Sequence, residues 1–246
     1  MVRVYLHEKT LTWTLCPLKI KGIVALVKKE IHPVTVERIK EIHSRRREQI
    51  CRRLQEFEDI WKNGSDEQLW EEMVYCFFTG GCSAKMGLRS IEAVRSKLMT
   101  GSHDDVMNAL VGRHRYPRAR ARYVIASRSF LEGHCGMRLR EKLSSFNDDD
   151  ERREWLVKEK GIKGLGYKEA SHYLRNIGLK GYGILDKHVL NCLAELKIID
   201  EPRPPNTRNR YLTIENKLKK FADQIKIDFD EMDLVLWSMK TGEILK

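Results

Sequence analysis

The rhythm of hydrophobic positions changes near residue 33. Before it, Val4 and Leu6, then Leu11, Trp13 and Leu15, alternate with polar residues, the period-two pattern of short strands. The run Gly22 to Val27 reads either as a third strand or as the start of a helix. Residues 1–32 are therefore expected to form an N-terminal extension, a small β appendage. Beyond it the spacing becomes helical. Val36, Ile39, Ile42, Ile50, Leu54, Phe57 and Ile60 recur mostly at three, four or eight, and Asn63-Gly64 ends the helix they predict. Ser65-x-x-Gln68 forms a capping box for the next helix, whose face of Leu69, Met73, Cys76 and Phe77 belongs to the interior. Thr79-Gly80-Gly81 breaks that helix, Ser83 opens another that ends near Thr100-Gly101, and Ser102-x-x-Asp105 caps one more.

Residues 115–132 predict a basic helix with Tyr123, Val124 and Ile125 inside and Arg118, Arg120 and Arg122 outside. A loop follows. The acidic run Asn147 to Asp150 suits the positive end of a helix, which then covers Glu151 to Lys160. A glycine-rich turn leads to helices beginning near Tyr167 and Leu185. Pro202-Arg203-Pro204-Pro205 is a stiff linker into two last helices near 207–224 and 228–240. The main body, residues 33–246, is expected to be all-α.

Composition narrows the partners. The chain of 246 residues carries 46 Lys and Arg against 35 Asp and Glu, a net charge of +11 that favours an anionic partner. Charge alone is equally compatible with a solvated basic surface. No apolar run reaches membrane-spanning length, and no basic stretch followed by an apolar one marks a secretory signal, so an intracellular, cytoplasmic protein without a membrane partner is expected. The six cysteines (16, 51, 76, 82, 135 and 192) include no C-x-x-C pair and are expected as reduced thiols.

The stretch Lys160-Gly161-Ile162-Lys163-Gly164-Leu165-Gly166-Tyr167-Lys168 places three glycines between two helices. Such a turn permits close backbone approach, and the free amides of the following helix suit a phosphate. It lacks the spacing of a Walker loop, and a plain interhelical turn remains open. Lys168 falls on the first helical turn, where the dipole disfavours an ammonium and favours a nucleophilic amine. Asp186, eighteen residues on, stands at the start of the next helix, where it suits either an N-cap or an acid partner for the lysine.

Ile162-Lys163-Gly164-Leu165-Gly166-Tyr167-Lys168-Glu169-Ala170-Ser171-His172-Tyr173-Leu174-Arg175-Asn176, followed by Ile184-Leu185-Asp186-Lys187-His188, closely resembles the second-type, archaeal-type 8-oxoguanine DNA glycosylase/AP lyase family of the helix-hairpin-helix superfamily. Arg115-Tyr116 with Arg118 and Arg120-Ala121-x-Tyr123, and Leu234-x-Leu236-Trp237 through Lys246, extend the similarity over roughly residues 36–246. Leu185 stands where the superfamily often has proline, and Thr79-Gly80-Gly81-Cys82 lacks the Asn or Gln common there. No cysteine cluster follows residue 192 to hold an iron–sulfur loop.

The resemblance implies a two-lobed helical fold with its cleft between the lobes. It also implies a bifunctional enzyme in which Lys168 attacks the sugar C1′ and Asp186 orients the amine. Trp237 would stack on the flipped purine, the C-terminal group of Lys246 would bond its edge, and Tyr116 would reach the lesion. Gly164, Gly166, Arg115, Lys187 and His188 would contact DNA. The implied partner is duplex DNA containing an oxidised purine, bound by a monomer. The chemistry calls for no metal and no organic cofactor; a monovalent cation at the hairpin carbonyls is admitted by analogy. His172 and His188 have no third ligand at helical spacing. A glycosylase for another oxidised base, such as a pyrimidine, and a non-enzymatic DNA-binding module are the alternative readings.

Overall fold

The computed structural model describes the backbone of residues 17–20 and 23–26 and the whole chain from residue 33 to residue 246. The chain divides into two units, Met1–Pro33 and Val34–Lys246. In the first, β1 (Pro17–Ile20) pairs antiparallel with β2 (Ile23–Leu26), Pro17 opposite Leu26 and Ile20 opposite Ile23. Val4, Leu6, Leu11, Trp13 and Leu15, on which the expected strands were placed, lie outside the described residues.

The second unit is all-α. Its first helix, α1 (Val36–Asn63), starts where Thr35 accepts a hydrogen bond from the Arg38 amide and stops at Gly64. The capping boxes expected at Ser65 and Ser102 open α2 (Asp66–Thr79) and α4 (His103–Leu110). Between them α3 (Ala84–Val94) gives way to a 3-10 turn at Arg95–Lys97, earlier than the glycine at 101 suggests. The basic helix α5 runs Pro117–Cys135, with proline at its first position where no amide is needed. Leu139–Ser144, read as loop, is a short helix, α6; buried Leu139 and Leu143 tie it to the core. Asp148 caps α7 (Asp149–Lys158) through the Glu151 amide. Then follow α8 (Tyr167–Asn176), α9 (Lys187–Glu195), α10 (Arg208–Ile225) and α11 (Phe229–Thr241).

Two apolar cores divide these helices into lobes. One gathers Trp70 and Phe77 of α2, Leu110 of α4, Val124 of α5, Leu156 of α7 and Leu174 of α8. The other gathers Ile42 and Ile50 of α1, Leu190 and Leu193 of α9, Leu218 of α10 and Leu236 of α11. The long helix α1 spans both, because Ile60 and Trp61 at its far end pack against the first core. The loop between α8 and α9 therefore crosses from one lobe to the other.

Candidate active site

A cavity of about 1450 Å³ opens where the lobes meet. The α2–α3 turn, the α4–α5 loop and the start of α8 line one side. The start of α9 and the end of α11 line the other, and the C-terminal residues reach across to α2 and α3.

The hairpin that feeds this cavity is laid on α5. A Cβ at Gly161 would sit 2.1 Å from the Phe130 ring, and one at Gly164 would sit 2.5 Å from the Tyr123 ring. Gly164 also has φ +80, a left-handed conformation that costs any side chain. The buried Ser127 hydroxyl accepts the Lys163 amide at 2.8 Å, which pins the turn from below. Gly166 is the hairpin glycine at the cavity. It starts α8 without a side-chain cap, so the first amides of that helix lack the usual side-chain acceptor.

Lys168, on the first turn of α8, lines the cavity three-quarters buried, with its Nζ 3.4 Å from the Glu169 carboxylate. Asp186 faces the same space from the start of α9. Its Oδ1 accepts both the His188 and Val189 amides at 2.8 Å, so one carboxylate oxygen carries the whole capping duty. The N-cap role and a role at the lysine are thus compatible in one side chain. Two helix starts, one in each lobe, bring the two groups to one cavity.

The remaining expected residues divide. Trp237 is half-buried on α11, edge-on to the His188 ring at 6.5 Å, and both line the cavity. Lys246 lines it too. Its ammonium is held by Glu72, 4% exposed, and lies 5.3 Å from the Tyr75 ring centre. Tyr75 donates its hydroxyl proton to the Lys246 carbonyl at 3.4 Å. Arg115 and Lys187 stand exposed on the rim.

Tyr116 and Gly164 do not line the cavity. Tyr116 is an exposed aromatic at the head of α5, with the Arg115 and Arg120 guanidiniums over its ring. Gly164 faces Tyr123 instead. Arg120, placed outside by its helical position, turns inward. It bonds the Gly80 carbonyl and lies over Tyr123, which together with Ile125 is only half-buried.

Sequence reasoning missed several residues. Glu72 sits on the apolar face of α2 between Leu69 and Met73, a charged residue in a buried stripe, and that anomaly was the available signal. It also accepts the Asn176 amide at 3.1 Å. His114 has Nε2 3.0 Å from the Phe78 carbonyl and accepts the Tyr116 amide at Nδ1, 2.9 Å, which fixes a neutral tautomer and orients the rim loop. Burial holds its pKa below the usual histidine value. Arg175 and Asp233 form a buried pair at 3.4 Å on the cavity wall, and burial lifts the Asp233 carboxyl to about 6 despite that partner. Nothing in the spacing between α8 and α11 announces this pair. The five described cysteines are free thiols, and no described helix is long and apolar enough to cross a membrane.

Residues 50–227 match the family Ogg-HhH, 8-oxoguanine DNA glycosylase. The 8-oxoguanine DNA glycosylase/AP lyase of Korarchaeum cryptofilum is 43% identical over 204 residues, 82% of this chain and 93% of that protein. The enzyme of the same name from Methanocaldococcus jannaschii is 34% identical, over 86% of this chain and 99% of its own length. The crystal structure of the M. jannaschii 8-oxoguanine glycosylase/lyase with a 15mer DNA containing 8-oxoguanine superposes with a TM-score of 0.79 at 33% identity, covering 86% of this chain and 99% of that one. The 8-oxoguanine DNA glycosylase of Thermotoga maritima gives 0.78 at 30% identity, covering 86% and 98%. With its helical lobes, its glycine hairpin and this similarity along most of its length, the chain belongs to the 8-oxoguanine DNA glycosylase family.

Proposed function

We propose that this chain excises 8-oxoguanine from duplex DNA and then cleaves the abasic strand, with Lys168 as nucleophile and Asp186 as its acidic partner. The observation that carries the reading is the meeting of these two side chains on one cavity, each presented by a helix start of a different lobe.

A base stacked in a duplex is out of reach of such a cavity, so the damaged nucleotide must be swung out of the helix. The Lys168 amine donates its electron pair to C1′. The glycosidic bond breaks, its electrons leave with the base, and the base is protonated. Asp186 stabilises the positive charge that develops on sugar and amine. Opening of the sugar ring converts the adduct to an imine. Loss of a C2′ proton then expels the 3′ phosphate and nicks the strand. An amine is required, because water or a hydroxyl cannot form the imine. Trp237 stacks on the extruded purine and Lys246 addresses its edge; Arg115, Lys187 and the Gly166 helix start hold the backbone phosphates. The enzyme acts as a monomer inside the cell, with residues 33–246 as the glycosylase domain and residues 1–32 as an extension.

Incubation with a duplex containing one 8-oxoguanine, followed by borohydride, is expected to give a covalent adduct that Lys168→Gln abolishes. No adduct from folded, DNA-binding wild-type protein would leave a non-enzymatic binding module. An adduct that survives in Lys168→Gln would remove the assigned nucleophile.

A further inference from the structure

Against the cavity, whose wall Tyr211 reaches, lies a polar network that the reaction does not consume. Arg153 of α7, 2% exposed, grips Glu215 of α10, 1% exposed, through two bonds of 2.7 and 3.1 Å. Its guanidinium also donates to Asp150 at 2.6 Å and to the buried Ser171 hydroxyl at 3.2 Å, and it lies over the rings of Tyr182 and Tyr211. Glu215 accepts the Gly183 amide at 2.8 Å. One helical turn away, the Tyr211 hydroxyl donates to the Gly183 carbonyl at 2.7 Å. It also receives the Leu185 amide at 3.4 Å. Tyrosine has a single hydroxyl proton, committed to Gly183, so across the 3.2 Å between Ser171 and Tyr211 the serine is the donor.

The placement of these bonds is informative. Ser171 lies one turn after Lys168 on α8, and Gly183 lies three residues before Asp186. Both polar groups of Gly183 are therefore clamped by α10, and α10 is clamped through Arg153 and Ser171 to the helix of Lys168. A Cβ at Gly183 would meet Phe229 at 3.1 Å and Glu215 at 3.2 Å, so the loop is seated closely. An apolar filling of the same volume is commonly as stable as a buried ion pair, but it would leave the Gly183 amide and carbonyl without these directional bonds.

We infer that Tyr211, Glu215 and Arg153 are positioning residues that fix the loop carrying Asp186 against the helix carrying Lys168. This rests on the assignment of those two as the reacting pair. The network acts on the excision step and leaves the DNA-binding rim untouched.

The test is the single-turnover excision rate on an 8-oxoguanine duplex at saturating enzyme, where an unfolded fraction alters amplitude and not rate. Tyr211→Phe and Glu215→Gln are each expected to slow excision by about tenfold, with affinity for undamaged duplex within about twofold. In an Asp186→Asn background the same substitutions are expected to cost less than about twofold more, since the group they position is already gone. Wild-type rates in both variants, or losses that multiply fully with Asp186→Asn, would overturn the inference. Should Tyr211→Phe yield no soluble protein, Glu215→Gln decides by the same measurements, because it keeps the size of the side chain and gives up the charge-paired bonds to Arg153 that hold α10 to the rest of the network. Survival of the borohydride adduct in Lys168→Gln is a separate result: it would remove the nucleophile assignment on which this inference rests, and it is read apart from the rates of the Tyr211 and Glu215 variants.

Discussion

At the scale of single residues, burial decides which groups stay neutral around the reacting lysine. His172 lies one turn from Lys168 on α8, lines the cavity and packs edge-on against Tyr75 at 5.7 Å. Its pKa is held well below 6.5, first by burial and then by the positive charges of Arg175 and Lys168. The sign follows from proton counting. Below pH 6.5 the unfolded chain protonates this histidine and the folded one does not, so the native state loses stability as pH falls. The loss approaches about 1.4 kcal/mol per pH unit for that one proton. Asp233 has the opposite sign: its raised pKa of about 6 lets the folded state take up a proton first, a stabilisation present in acid and lost as pH rises through that value. Comparing wild type with His172→Gln cancels the Asp233 contribution. The fall in melting temperature between pH 7 and pH 5 is expected to be shallower in the variant, and equal slopes would show that His172 titrates normally.

At the scale of elements, the hairpin owes its shape to the helix beneath it. Two of its three glycines are required where the turn presses on Phe130 and Tyr123, and only Gly166 faces the cavity. Gly164→Ala must adopt a left-handed conformation and displace the Tyr123 ring, so it is expected to lower unfolding free energy by about 2 kcal/mol or more. Urea unfolding measures this directly. A loss under about 0.5 kcal/mol would mean that the turn relaxes without strain. Sequence reading identified the hairpin and both flanking helices, with the helix before it placed two residues too late (α7 spans Asp149–Lys158), since glycine spacing and helical periodicity are local signals. It could not say which glycine serves packing and which faces the cavity, because that depends on α5, whose Phe130, Ser127 and Tyr123 lie between 31 and 41 residues earlier in the chain than the hairpin positions they meet.

At the scale of the whole molecule, part of the net positive charge gathers at the rim of the cavity. Lys85, Arg89, Arg113, Arg115 and Lys187 all stand exposed around the opening. Each phosphate neutralised releases counterions, so affinity for duplex DNA is expected to fall steeply with salt. Arg115→Ala is expected to reduce the slope of log affinity against log salt by about 0.9, weakening damaged and undamaged duplexes alike. Measured by fluorescence anisotropy at several salt concentrations, an unchanged slope would remove Arg115 from the phosphate contacts. The run Arg45-Arg46-Arg47 lies on α1, on residues that do not line the cavity.

Much of this protein was already present in its linear sequence. Capping boxes at Ser65 and Ser102, helical periodicity from Val36 onward, and the string from Ile162 to His188 were enough to define an all-α body and its family. These features depend on near neighbours or on an unbroken run of residues, and both can be read along a chain. Tertiary structure alone decided that α8 and α9 belong to different lobes, that Glu72 holds the ammonium of Lys246, that Arg120 turns inward to Gly80, and that Arg153, Tyr211 and Glu215 brace the loop before Asp186. The contacts behind these arrangements join residues between 18 and 174 positions apart. Their pairing is fixed by how the two cores pack, and no local spacing encodes it.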